Sequence, residues 1–260
     1  MSKRYKVKLQ LSYDGSDYAG FQKQSNSEPT IQGTLENALS TLLDEPIRVV
    51  GCGRTDARVH ATKYFIHFWT HKDPSNYNFV YALNGPLTPN SIAFQNAWLA
   101  PEEFHALSSE FKVYKYLLFN DTIPNPFKQR YSTYDKRPYS VERLNQISHH
   151  LLGEHDFSSF QTSGTESKTT IKTLYQCHWH RENSGHIVFT ISGNGFLRQM
   201  VRNIVGTALW IDRSGHDPEI VKEILDSRDR QQAKDTAPPQ GLYLTHIQYP
   251  ETLDKRCRKL

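Results

Sequence analysis

Asp56 is the side chain most clearly placed to do chemistry. It lies in Gly51-Cys52-Gly53-Arg54-Thr55-Asp56-Ala57-Arg58-Val59-His60-Ala61, one carboxylate between two arginines and behind two glycines. Flanking guanidiniums favour the charged form, which suits a fixed negative charge or a nucleophile better than a general base. The glycines let the backbone turn sharply and let a ligand come close. An ordinary salt-bridged turn between two strands has the same residue types, so the motif by itself leaves both readings open.

A second group is Phe104-His105-Ala106 with Lys112-Val113-Tyr114-Lys115-Tyr116. Strand alternation puts Tyr114 and Tyr116 on one face and Lys115 on the other. Such a face either packs into a core or stacks on a nucleobase, with lysines against phosphates. A third group, Phe196 to Gly206, reads as the opening of a strong helix. Leu197, Val201, Ile204 and Val205 share its core face. Arg198 and Arg202 lie one turn apart on another side, either as a solvated stripe or as ligand contacts. The turn Asn194-Gly195 would set them near a strand end.

Two further clusters carry less. In Cys177-His178-Trp179-His180 only the two histidines share a strand face, too few for a closed zinc site, and no metal is expected. His155-Asp156-Phe157-Ser158 has the residue types of a hydrolytic triad, but sequence neighbours seldom converge that way. It reads as a loop anchored by Phe157 and Phe160. Ala237-Pro238-Pro239-Gln240-Gly241 reads as a turn into a strand.

The elements that would position these groups follow from periodicity. Residues 5–13 alternate apolar with Lys6, Lys8, Gln10 and Ser12, the pattern of a half-buried strand. Residues 16–29 have no period and read as a long loop that a ligand could order. Ile31 to Leu43 reads as a helix with Thr30 as N-cap and Pro46 as its stop. Short strands are expected at 47–50 and 64–69, a helix at 76–83, a loop at 84–90 and a strand at 92–99. After Ala100-Pro101-Glu102-Glu103 a similar order returns. It comprises a strand at 111–119, a Pro-rich connection at 124–138 and a helix at 141–152. Strands at 170–181 and 186–192 follow, joined by a hairpin turn. Helices at 196–211 and 218–225 and a strand at 242–249 precede a basic tail, 254–260, expected to fray. The implied class is α+β, two similar mixed halves, each a mostly antiparallel sheet with helices on one side. The division falls at residues 1–103 and 104–260.

At 260 residues, 37% hydrophobic and 12% aromatic, the composition is globular. No apolar run approaches the roughly 18 residues of a membrane span, and the basic N-terminus leads into a strand rather than a signal core. The expectation is a soluble cytoplasmic protein. Three scattered cysteines give no disulfide framework and fit a reducing compartment. A net charge of +4 does not mark a nucleic-acid binder; basic residues set beside aromatics say more.

Together the motifs resemble the tRNA pseudouridine synthase A family over nearly the whole chain. They are Tyr13-Asp14-Gly15 with Tyr18, Gly20, Phe21, Gln22 and Gln24, and Thr30 to Glu36. Then come Gly53 to Ala57 with Val59-His60-Ala61, Phe104-His105-Ala106, and Lys112 with Tyr114 and Tyr116. Gly153 with His155-Asp156-Phe157, Phe196-Leu197-Arg198 with Met200 to Asn203 and Gly206, and Ala237-Pro238 with Gly241-Leu242 complete the series in the family's order. The resemblance implies isomerisation of uridine to pseudouridine at positions 38, 39 and 40 of the tRNA anticodon stem-loop, by a homodimer without a cofactor and with a catalytic cleft between the halves. Asp56 matches the catalytic aspartate, acting at C6 of the base, or at C1′ or C2′–H of the sugar. Arg54 matches the arginine that fills the gap left by the flipped nucleotide, and Tyr114 the tyrosine that stacks on the uracil. Arg202 matches the arginine that pairs with the aspartate, and Leu242 a leucine lining the base pocket.

Two positions depart from the family pattern. Arg58 stands where glycine is usual, so a positive φ there would cost on the order of 1 kcal/mol or more. Leu107 stands where arginine is usual. The alternative function is therefore a tRNA-binding or folding protein with impaired turnover on the same scaffold.

Overall fold

The computed structural model describes residues 3–25, 28–162 and 169–260. In chain order the elements are β1 (Tyr5–Tyr13), α1 (Ile31–Leu43), β2 (Val50–Gly51), β3 (His60–Thr70), α2 (Phe79–Leu87), β4 (Ile92–Ala100), β5 (Phe111–Phe119) and β6 (Thr133–Tyr134). Then come α3 (Val141–His149), β7 (Gly153–Asp156), β8 (Ile171–Arg181), β9 (His186–Gly193), α4 (Met200–Arg213), α5 (Ile220–Ser227), β10 (Leu242–Gln248), α6 (Glu251–Asp254) and β11 (Arg258–Lys259). The class is α+β with mostly antiparallel strands, β5 with β6 being a parallel pair. Two compact units emerge, Met1–Glu110 with Leu244–Leu260, and Phe111–Tyr243. Residues 104–110 and 244–260, grouped with the C-terminal half by sequence order, thus belong to the first unit. No helix among the described residues is long and apolar enough to cross a membrane.

In the first unit the strand order is β11-β4-β1-β3, with β2 beside β3. Val7, Leu9 and Leu11 are fully buried, as alternation requires, and α1 lays Ile31, Leu35, Leu39 and Leu43 into the core. Thr30 caps α1 by accepting the Gly33 N–H at 3.2 Å. The helix stops at Asp44, in the left-handed conformation, two residues before Pro46.

The other face of β1 departs from the half-buried expectation. Lys6 and Lys8 are buried because residues 101–106 and the C-terminal segment cover that face. Lys6 Nζ donates to the carbonyls of Glu102 and Phe104. Lys8 Nζ pairs with Asp254 and lies within 4.7–5.1 Å of the ring centroids of Phe65, Trp98, Phe104 and Tyr249. This anchoring corrects the frayed-tail expectation, since β11 then pairs with β4, Arg258 opposite Leu99. The expected loop 84–90 is also corrected. Asn84 holds the end of α2 on β4 by bonding both backbone groups of Phe94, at 2.7 and 2.9 Å.

His67, buried on β3, gives this unit an acid sensitivity. Its Nδ1 accepts the Ala106 N–H at 3.1 Å, with His105 and Phe104 beside it. Burial first, and then the charges of His105 and Lys6, lower its pKa to about 4. A histidine pKa depressed by folding contributes stability that is present above about 6.5 and is lost as pH falls towards the folded value. Stability against thermal unfolding should therefore fall as pH drops from about 6.5 to 4, by at most about 1.4 kcal/mol per pH unit. A His67→Gln chain, whose amide oxygen can accept the same N–H, should lose less across that window. Equal losses in the two chains would count against this assignment.

In the second unit the order is β5-β9-β8-β7, with β6 on β5. Trp179 stacks on Phe189 at 4.5 Å and is held by α3, where Ser148 Oγ accepts its indole N–H at 2.8 Å. Asn145 bonds both backbone groups of Trp179 at 2.9 Å. His155 and Asp156 lie in β7 rather than in a loop, while Phe157 and Phe160 are fully buried as anchors. The three cysteines are free thiols, and burial pushes that of Cys177 up to about 12.

Candidate active site

The strand feeding the Asp56 turn is shorter than expected, and β3 begins four residues after Asp56, at His60. The turn between them is fixed from below. Cys52, Thr55, Val59 and His60 are buried, while Arg54, Ala57 and Arg58 are exposed and Asp56 is half-buried. Cys52 N–H bonds Phe65 O at 3.0 Å, and the Tyr64 hydroxyl donates to Gly53 O. The hydroxyls of Thr55 and Tyr13 meet at 2.8 Å.

The loop that a ligand was expected to order is already packed onto this turn. Phe21 N–H donates to Thr55 O at 3.1 Å and Arg58 N–H to Tyr18 O at 3.3 Å. Tyr18 and Phe21 are buried; residues 26 and 27 of the loop lie outside the described residues. Two glycines permit the approach. A Cβ at Gly15 would sit 2.0 Å from Val59 O, and one at Gly20, where φ is +100°, would sit 2.8 Å from Thr55 O. His60 Nδ1 is 3.2 Å from the Gly15 N–H and 3.0 Å from Asp14 Oδ1, closing the far side of the turn. The result is a half-buried carboxylate on a braced turn, with an exposed arginine two residues away on each side in the chain.

In the second unit Tyr114 is buried on β5, with Phe196 edge-on at 5.0 Å and 80°. Tyr116 shares its face, and the Tyr116 hydroxyl meets Thr133 Oγ1 at 2.6 Å and donates to Pro238 O at 2.9 Å. Burial holds the Tyr116 phenol well above its ordinary range. Tyr116 is therefore a core residue. Arg202 Nε donates to Ala237 O at 2.7 Å, and Ala237 N–H returns a bond to Arg202 O at 3.1 Å. The segment 237–241 is thus tied to α4 by Arg202 and to β5 by Tyr116, and it delivers Leu242, buried, at the start of β10. Arg202 and Tyr116 thus converge on one segment, and Leu242 follows it.

One expectation fails here. Arg198 is not one helical turn from Arg202, because α4 begins at Met200 after Gln199 in the left-handed conformation at φ 59°. A right-handed helix cannot pass through that residue, so Phe196 and Leu197 are irregular, Arg198 and Gln199 form a turn, and Arg198 is exposed.

Periodicity also missed the supports of this segment. Asn203, fully buried, donates to Phe160 O at 2.7 Å and accepts from Thr236 Oγ1 at 2.6 Å and Arg230 Nη2 at 3.1 Å. Gly206 allows Asp235 O to touch the helix where a Cβ would lie 1.7 Å from it. Asn203 and Gly206 stand inside an apolar helical repeat and carry no periodic signal, although both lie in the motif that the family resemblance rests on. Nothing in its sequence surroundings marks Arg230.

Comparison with known proteins identifies the family. A sequence model of the tRNA pseudouridine synthase family matches residues 147–250. A tRNA pseudouridine synthase A of Bdellovibrio bacteriovorus is 42% identical, covering 98% of this chain and 99% of that protein. Proteins of the same name from Ruminiclostridium cellulolyticum and Francisella tularensis are 36% and 34% identical over 94% and 95% of this chain, and 99% and 95% of their own lengths. A solved H/ACA RNP bound to a substrate RNA containing 2'-deoxyuridine overlays with a TM-score of 0.36 at 10% identity, over 78% of this chain and 43% of that one, too low to carry an argument. With identity of this level along almost its entire length, the chain belongs to the tRNA pseudouridine synthase A family, isomerases of uridine in tRNA.

Proposed function

We propose that this chain isomerises uridine to pseudouridine at positions 38, 39 and 40 of the tRNA anticodon stem-loop, with Asp56 as the nucleophile on a flipped uridine. The observation that carries the reading is the braced turn, which keeps a half-buried carboxylate accessible between two exposed arginines. In the reaction the N1–C1′ bond breaks, the uracil turns, C5 joins C1′, the proton on C5 is lost and N1 gains one. No redox partner enters this balance, and no cofactor is invoked.

Extruding a base from a stem costs a few kcal/mol, partly offset by side chains that replace its stacking. Arg54, exposed beside Asp56, suits insertion into the gap. Tyr114, steadied by the Phe196 edge, suits stacking on the uracil. Arg202 and Leu242, anchored to and following the segment 237–241, serve the flipped nucleotide. A homodimer acting in the cytoplasm completes the proposal.

The test is a position map of pseudouridine in tRNA from cells with and without the gene. Loss confined to positions 38–40 is the expected outcome. Loss elsewhere in tRNA would reassign the target, and an unchanged map in cells lacking any second synthase would favour the binding protein without turnover.

A further inference from the structure

Arg58 adopts φ 65°, a conformation costly for any residue with a Cβ. The other described non-glycine residues at positive φ do a local job. Asp44, Ser91 and Arg228 close helical segments, and Gln199 precedes α4. Arg58 closes no helix; it is the second residue of the Ala57-Arg58 turn.

Its side chain also differs from that of Arg228, whose Nε lies 3.5 Å from Asp156 Oδ2. Among the described residues the Arg58 guanidinium, exposed, has no hydrogen bond, ion pair or ring contact, and neither has that of Arg54. The Arg58 backbone N–H bonds Tyr18 O at 3.3 Å, and the Val59 N–H closes the turn around it on Asp56 O at 3.2 Å. The strained backbone serves the turn that presents Asp56, where a smaller residue would serve with less strain, and local strain of this kind is a mark of a functional position.

The substrate class supplies the missing partner. Guanidinium groups present planar forks of donors that match phosphate oxygens. Two peptide units separate the Cα atoms of Asp56 and Arg58, at most about 7 Å, so the phosphates flanking a nucleotide at Asp56 are within reach of the side chain. We propose that Arg58 contacts the RNA phosphates beside the target nucleotide and sets part of the affinity for tRNA. This rests on the reading of Asp56 as the reacting carboxylate.

The experiment is a salt titration of binding to an unmodified tRNA transcript carrying uridines at 38–40. It compares the full chain with Arg58→Gly, Arg58→Asn and Arg58→Lys, alongside thermal unfolding. Glycine and asparagine, which tolerate the left-handed region, should raise the unfolding midpoint by a few degrees. They should weaken binding about three- to tenfold and flatten the slope of log affinity against log salt by roughly 0.7 to 1. Lysine should keep the slope and show no gain in midpoint.

Unchanged affinity and slope in the glycine and asparagine variants would overturn the proposal, as would a lysine variant that loses the slope as fully as glycine does. A fall in turnover with binding intact would also overturn it, placing Arg58 on the carboxylate instead. Binding reads Arg58 independently of the chemistry. If Asp56→Asn keeps its turnover, the nucleophile assignment fails, whatever the salt slopes show.

Discussion

Asp56→Asn is expected to lower pseudouridine formation on the order of 10⁴-fold or more while leaving tRNA binding within about twofold. Asparagine is isosteric and neutral, and backbone bonds and the side chains of Tyr13, Thr55 and Tyr64 brace the turn around it. The Val59 N–H bonds Asp56 through its backbone O at 3.2 Å, and Thr55 and Phe21 fix the residue before it. The loss should therefore fall on the chemical step and not on folding. Turnover by the purified variant is measured on a tRNA transcript, with Asp56→Ala beside it to exclude activity regained by deamidation. Matching residual turnover in both would remove Asp56 from the role of nucleophile. A loss of binding equal to the loss of turnover would instead mean that the turn had been disturbed.

Gly206→Ala should have the largest effect on stability. Its new Cβ would fall 1.7 Å from Asp235 O and 3.2 Å from Ala237 N, so backbone must move. Overpacking typically costs about 1–3 kcal/mol, and contact with backbone rather than a side-chain tip favours the upper end. For a chain of this size that is a fall of several degrees in the unfolding midpoint.

The displacement also strains the bonds that hold the segment to α4. These are Lys234 N–H to Thr207 Oγ1 at 3.1 Å, the Asn203 bonds, and the Arg202–Ala237 pair. Turnover should drop along with stability, measured at a temperature where the variant is still folded. Gly85→Ala is the control, because nothing lies within 4 Å of its Cβ position and alanine is the better helix former. A Gly206→Ala protein as stable and as active as that control would show that the segment yields freely.

Much of the architecture was legible from short-range pattern. β5 spans the expected residues, and α1 opens at its Thr30 cap, because alternation, helical spacing and cap chemistry act within a few residues. The readings that failed needed distant partners. Alternation in β1 shows two faces but not that Glu102, Phe104 and Asp254 cover the lysine side. The start of α4 was misplaced because nothing local predicts a left-handed Gln199.

For the candidate site the same division holds. The sequence by itself determined the membership of the turn, one carboxylate among arginines and glycines, and the residue types that accompany it in family order. Tertiary structure decided how that turn is held and which side chains remain available. Tyr13 reaches Thr55 across 42 residues, and Tyr116 reaches Pro238 across 122. It also decided that Arg58 sits in the left-handed region with a guanidinium unengaged among the described residues. Residue types and spacings are local quantities, whereas burial and backbone strain depend on what the rest of the chain packs against them.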